Sequence, residues 1–116
     1  MIKSEAVSKV NEEFSINLAE SCTHFSNINK SKPVWWFDIP LSRLAACVNI
    51  NLLMYHERTN KVYFMEVPAE FFEKNIRSLR IRKDKDVISL ELSTANFQDV
   101  IGSGRIGFRF FIKKKV

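Results

Sequence analysis

Long apolar runs are missing from this sequence. No stretch approaches the roughly 18 consecutive apolar residues that a membrane-spanning helix needs, so no membrane contact is expected. Glycine and proline are scarce, at three residues each, which excludes a collagen-like chain or a low-complexity tail. Met1-Ile2-Lys3-Ser4-Glu5 leads straight into mixed polar sequence, without the apolar centre of a secretory signal. Only two cysteines occur, Cys22 and Cys47. The expectation from these absences is a cytoplasmic protein whose two thiols are reduced and serve as small core side chains. Cys22, His24, Cys47 and His56 are spaced C-x-H and C-x8-H, unlike structural zinc sites, so neither a metal nor another cofactor is expected. Acidic residues are outnumbered as well. Thirteen Asp and Glu face eighteen Lys and Arg, for a net charge of +5. That balance favours an anionic partner, nucleic acid first, and it equally suits a merely solvated basic face.

What is present fits one folded domain over residues 1–116. The chain is 46% hydrophobic with ten phenylalanines, and a chain of this size buries about two-thirds of its unfolded surface. Residues 3–22 read as an amphipathic helix capped by Ser4, because Val7, Val10, Phe14, Leu18 and Cys22 form one stripe. Thr23 to Pro33 reads as a polar loop. Val34 to Ile39 is a strand with Trp35, Phe37 and Ile39 on one face and Val34, Trp36 and Asp38 on the other. Pro40 opens a short helical turn over 41–47. Two strands follow, 48–56 and 62–67, joined by a hairpin. With Thr59-Asn60 as a two-residue loop, Tyr55 faces Phe64 and Leu53 faces Glu66. Pro68 opens a second helix reaching Leu79, and Asp84-Lys85-Asp86 is a turn. Val87 to Ser93 alternates most clearly of all. A short helix or loop over 94–101, a flexible break at Gly102-Ser103-Gly104 and a strand over 105–112 close the chain. The class is α+β: a single small domain with a mixed or mainly antiparallel sheet of about five strands packed against two helices.

Two acids sit at strand exits, in Asp38-Ile39-Pro40 and Glu66-Val67-Pro68. On neighbouring strands of one sheet they would hold Mg²⁺ between them. The order helix, three strands, helix, strand over residues 3–93 resembles the core of the PD-(D/E)XK restriction-endonuclease-like nucleases. The resemblance implies Asp38 as the first acid and Glu66 as the second. It departs from the family where Pro68 replaces the lysine, and where Asp38 lies on the first strand instead of the second. It therefore implies either an active Mg²⁺-dependent nuclease or a degenerate one. Gly102-Ser103-Gly104-Arg105-Ile106-Gly107 spells G-x-G-x-x-G but precedes a strand and opens no helix, so it is not a dinucleotide site.

The basic residues fall in two groups, Arg77 to Lys85 and Arg105 to Lys115. The leading expectation is a small non-enzymatic module contacting DNA or RNA through Arg80, Arg82, Lys83, Arg105, Arg109, Lys113 and Lys114. Trp36 and Phe111 would be stacking partners. The alternative is an inhibitor or accessory module with an acidic protein partner, docked on an apolar patch of Trp36, Leu53 and Tyr55.

Overall fold

Period-two alternation of apolar side chains sets the architecture. A computed structural model describes residues 1–116. Its elements are α1 (Lys3–Phe14), β1 (Thr23–Ser26), β2 (Val34–Pro40), α2 (Ser42–Ala46), β3 (Asn49–His56), β4 (Lys61–Pro68), α3 (Ala69–Lys74), β5 (Arg80–Arg82), β6 (Val87–Ser93) and β7 (Ile112–Lys115). They form two sheets, of order β1-β3-β4-β7 and β2-β6-β5. All pairings are antiparallel except β1 with β3.

The two sheets enclose the main core between them. The second sheet contributes Trp35, Phe37 and Ile39 from β2 and Ile88, Leu90 and Leu92 from β6. The first sheet answers with Ile50, Leu52, Met54, Met65 and Val67. Leu44 of α2 and Ala69 and Phe72 of α3 complete it. Fully burying one such large side chain stabilises the fold by about 1.5–3 kcal/mol. The opposite face of the first sheet takes α1, where Ala6 and Val10 meet Leu53, Val62 and Phe64. The Phe14 ring stands edge-on to Phe64 at 5.3 Å. The molecule is thus α1, four-stranded sheet, three-stranded sheet.

The α+β class expected from the sequence holds, but the expected sheet of about five strands is two sheets. Two strands lie outside the sequence expectation: β1, whose four residues Thr23-His24-Phe25-Ser26 include one Phe, and β5, whose single apolar Ile81 lies between arginines. The first helix ends at Phe14 instead of Cys22. Ser15 turns left-handed at φ 52°, and the Asn11 side chain accepts the Leu18 N–H at 2.9 Å, so the chain reverses. The N-terminal cap is also shifted. Ser4 lies inside α1, and Glu5 accepts the N–H of Ile2. The helix after Pro68 stops at Lys74, followed by a 3₁₀ turn at Ile76–Ser78.

The β3–β4 loop has four residues, 57–60, since His56 pairs with Lys61. Tyr55 therefore faces Val62, Leu53 faces Phe64 and Asn51 faces Glu66. The displacement from the expected pairing is two residues, so each side chain keeps its face. The final strand begins only at Ile112. Residues 109–111 form a 3₁₀ turn, which buries Phe108 and leaves Phe110 74% exposed, where strand alternation would have put them together. Gly102-Ser103-Gly104 is packed: the Gly104 N–H donates to the Ser78 carbonyl at 3.0 Å. A Cβ on Gly102 would lie 2.7 Å from that carbonyl oxygen, an approach only glycine permits.

Cys22 and Cys47 are bonded to each other, with Cα atoms 6.0 Å apart. This corrects the expectation of two reduced thiols. Cys22 leads into β1 and Cys47 stands two residues before β3. The parallel pairing of those strands brings the two sulfurs together, and the four polar-rich residues of β1 carry no periodic signal that would announce it.

Candidate nucleic-acid interface

The inward turn of Trp35, Phe37 and Ile39 forces Trp36 and Asp38 onto the outer face of the three-stranded sheet. Register then sets their neighbours. Trp36 lies across from Glu91, Asp38 from Ser89, and Ser89 in turn from Arg80. Trp36 is 46% exposed and firmly held. Its backbone N–H donates to Ser26 Oγ at 3.0 Å, and its indole N–H donates to Asp38 Oδ1 at 3.3 Å. Ser89 also donates to Asp38 Oδ1, at 2.6 Å, and the Arg82 guanidinium stands 3.6 Å from Asp38 Oδ2. Lys32 pairs with Glu91 at 2.7 Å. Arg80 is exposed and has no carboxylate within ion-pair distance. Trp36, Arg80, Arg82, Ser89, Glu91 and Ile101 line a depression of about 150 Å³.

A buried acid that the sequence did not single out shapes this rim. Asp99 is 0% exposed. Its Oδ1 accepts the N–H groups of Glu91 at 3.2 Å and Ile101 at 3.3 Å, and its Oδ2 accepts that of Gly102 at 3.1 Å. It thereby fastens β6 to the 99–102 turn and fixes two lining residues of the depression. Burial pushes its carboxyl above the ordinary range, against the opposing pull of these three N–H groups. The legible signal was an Asp three residues before a Gly, a turn signature with the side chain bonding back to the backbone.

The expected basic residues separate into two sets. Arg80, Lys83, Arg105 and Arg109 are exposed and free of carboxylate partners. Arg82 is shared between Asp38 and Asp84, while Lys113 stands 3.8 Å from Glu66 and Lys114 2.8 Å from Glu13. Lys114 holds the Glu13 carboxyl below its usual range. The loop before Arg105 packs against the chain entering β5, through Gly104 on Ser78 and the Ser103 hydroxyl on the Arg77 carbonyl at 3.5 Å. Lys113 and Lys114, in contrast, belong to β7 on the edge of the other sheet. Phe111 is half-buried against Phe71, ring centroids 4.7 Å apart. Phe110 is the exposed aromatic there.

Two expected constellations are not assembled. Asp38 lies on the outer face of the second sheet, whereas Glu66 shares the α1 side of the first sheet with Phe64. The main core stands between them, and each carboxylate has its own cation. No group of three or more His, Cys, Asp and Glu side chains is placed to hold a metal ion. The apolar patch of Trp36, Leu53 and Tyr55 is likewise divided. Leu53 is buried under α1 and Tyr55 packs beside it, a sheet away from Trp36.

Comparison of the chain with protein-family models, curated proteins and solved structures finds no match. The functional reading therefore rests on these residues alone.

A second concavity, of about 550 Å³, lies between α1, β1 and α2 and is lined by Lys3, Glu20, Ser21, Thr23, His24, Pro40 and Arg43. Lys3 and Glu20 close on each other at 2.7 Å. Burial, with smaller contributions from Lys3 and Arg43, pushes the His24 imidazole down to about 4, and its Nε2 has no hydrogen-bond partner. The unfolded chain takes up this proton near the ordinary histidine value of about 6.5, well before the folded chain does. Stability is therefore lost as pH falls from about 6.5 toward 4, by on the order of 2–3 kcal/mol for this one group. Denaturant titrations at a series of pH values should show that decline, and the His24→Gln protein should lack most of it. Parallel pH profiles for the two proteins would exclude His24 as its source.

Proposed function

We propose that this protein is a small non-enzymatic binding module that contacts nucleic acid through the outer face of β2-β6-β5. One observation carries the reading: Trp36 is exposed and held in place beside Arg80, a guanidinium with no internal carboxylate. A fixed indole face stacks on a base with little ordering cost, and a free guanidinium pairs with phosphate. Lys83, at the end of β5, and Arg105, on the loop packed against the chain entering β5, extend the cationic surface, whereas Arg109 stands on the turn that leads into β7 of the other sheet. Lys113 and Lys114 contribute less, because their charges already serve Glu66 and Glu13.

The test is fluorescence anisotropy of labelled single-stranded and duplex DNA and RNA at low and moderate salt. Trp36→Ala should weaken binding by about 1–3 kcal/mol, roughly 5- to 150-fold. Arg80→Ala should lower the salt slope by about one, while Lys114→Ala should leave affinity nearly unchanged. No binding at low salt would overturn the reading. The competing reading, an acidic protein partner, is favoured by Phe110, which stands 74% exposed next to the exposed Arg109. Phe110→Ala should leave nucleic-acid affinity intact under the first reading.

No helix is long and apolar enough to cross a membrane. The sequence pointed to the cytoplasm, but a Cys22–Cys47 bond persists best in an oxidising compartment, and the proposal places the working protein there.

A further inference from the structure

We infer that the depression beside Trp36 takes an unpaired guanine of a single strand. The inference rests on the nucleic-acid reading above and adds a base preference to it. The depression, about 150 Å³, has Trp36 and Ile101 as its apolar lining, and the exposed indole offers a flat occupant a face to stack on. Its polar wall is unusual in offering acceptors. Glu91 Oε1 is taken by Lys32 Nζ at 2.7 Å, and Oε2 receives no hydrogen bond from the protein. The Ser89 hydroxyl, nearly buried beneath the depression, spends its proton on Asp38 and offers a ligand no donor. The donor on the neighbouring strand is Arg80, which has no carboxylate partner; the Arg82 guanidinium beside it already faces Asp38 and Asp84.

Guanine matches this division of labour. Its Watson–Crick edge places N1–H and N2–H₂ side by side, two donors for a carboxylate. Its O6 and N7 are adjacent acceptors, the commonest target of arginine. Adenine and cytosine set a donor beside an acceptor on the Watson–Crick edge, and uracil flanks one N–H with two carbonyls. Each leaves a charged or polar wall group facing its own kind. In a duplex the Watson–Crick edge is already used and the base faces are stacked, so the site requires a single strand. Asp99 has a positioning role, since its carboxylate holds the backbone of Glu91 and Ile101.

The test uses the full chain with labelled single strands of about eight nucleotides. A uracil strand is compared with strands carrying one central guanine, inosine or adenine, each as RNA and as DNA, and with the guanine strand in a duplex. The expected result is about tenfold tighter binding of the guanine strand than of the adenine or uracil strand, with inosine between them for want of its 2-amino group. Glu91→Gln should bring the ratio of guanine-strand to uracil-strand affinity close to one, and Trp36→Ala should weaken every strand. Equal affinity for guanine, adenine and uracil strands overturns the base preference while leaving the nucleic-acid reading in place. So does tighter binding of the duplex. Failure to bind any strand at low salt overturns both. The comparison among strands uses the natural chain, so it does not depend on a variant folding.

Discussion

Replacing Asp99 by alanine is expected to lower stability by about 3 kcal/mol, because a buried N–H left unpaired costs about 1–3 kcal/mol and Asp99 satisfies three, that of Gly102 fully buried and those of Glu91 and Ile101 partly so. For a domain of this size that is a fall in Tm of roughly 12 °C. Asp99→Asn should cost less. Its carbonyl oxygen can keep the bonds to Glu91 and Ile101, while its amide turns a donor toward the Gly102 N–H. The pH dependence carries its own sign. Burial raises the folded-state pKa of Asp99 above the unfolded value. The folded chain therefore holds the proton longer, and the stability from this group is complete below the unfolded value, about 3.9. It is lost as pH rises through the raised folded value. The deficit of Asp99→Asn should accordingly shrink from acidic toward neutral pH. A deficit independent of pH would show that Asp99 titrates normally, and an unchanged Tm for Asp99→Ala would sink the account of the rim.

Removing the Cys22–Cys47 bond is expected to cost about 3.5 kcal/mol. The bond closes a loop across a sequence separation of 25, and the chain-entropy account gives about 3 kcal/mol for a 15-residue loop and about 4.7 for one of 100. The loop it closes contains β1 and β2, which lie in different sheets. Without it, the short β1 is tied to β3 only by its parallel ladder and by the Asn51 amide on Thr23 Oγ1 at 3.2 Å. Thermal melts of Cys22→Ala/Cys47→Ala, and of the natural chain with and without reductant, measure the effect. Thiol alkylation of the unreduced native protein followed by mass measurement checks the bond itself and should add nothing. Two adducts per chain, or a melting temperature indifferent to reductant, would contradict the pairing. Release of β1 also removes Ser26, whose hydroxyl holds the backbone of Trp36. Weaker nucleic-acid binding under reduction is therefore expected together with the lower Tm.

The sequence by itself determined which residues are buried in its well-patterned strands. Alternation in β2, β3 and β6 put Trp35, Phe37 and Ile39, then Ile50, Leu52 and Met54, then Ile88, Leu90 and Leu92 each on one face, and those faces are core, because period two leaves a strand residue only two faces. The same pattern placed Trp36 and Asp38 together, and the runs of Arg and Lys were plain to count. Tertiary structure decided everything that depends on which strand lies beside which. Four residues of β1 and three of β5 are too short for a periodic signal, yet β1 brings Cys22 to Cys47 and β5 brings Arg80 to Trp36. The division of the strands into two sheets parted Asp38 from Glu66 and left each with a local cation. The 3₁₀ turn at 109–111 broke the strand parity that would have paired Phe110 with Phe108. Asp99 found its three N–H partners only when β6 and the 99–102 turn met. Burial on a strand face follows from local periodicity, while a site is a set of distances between segments remote in the chain, and those are set by packing.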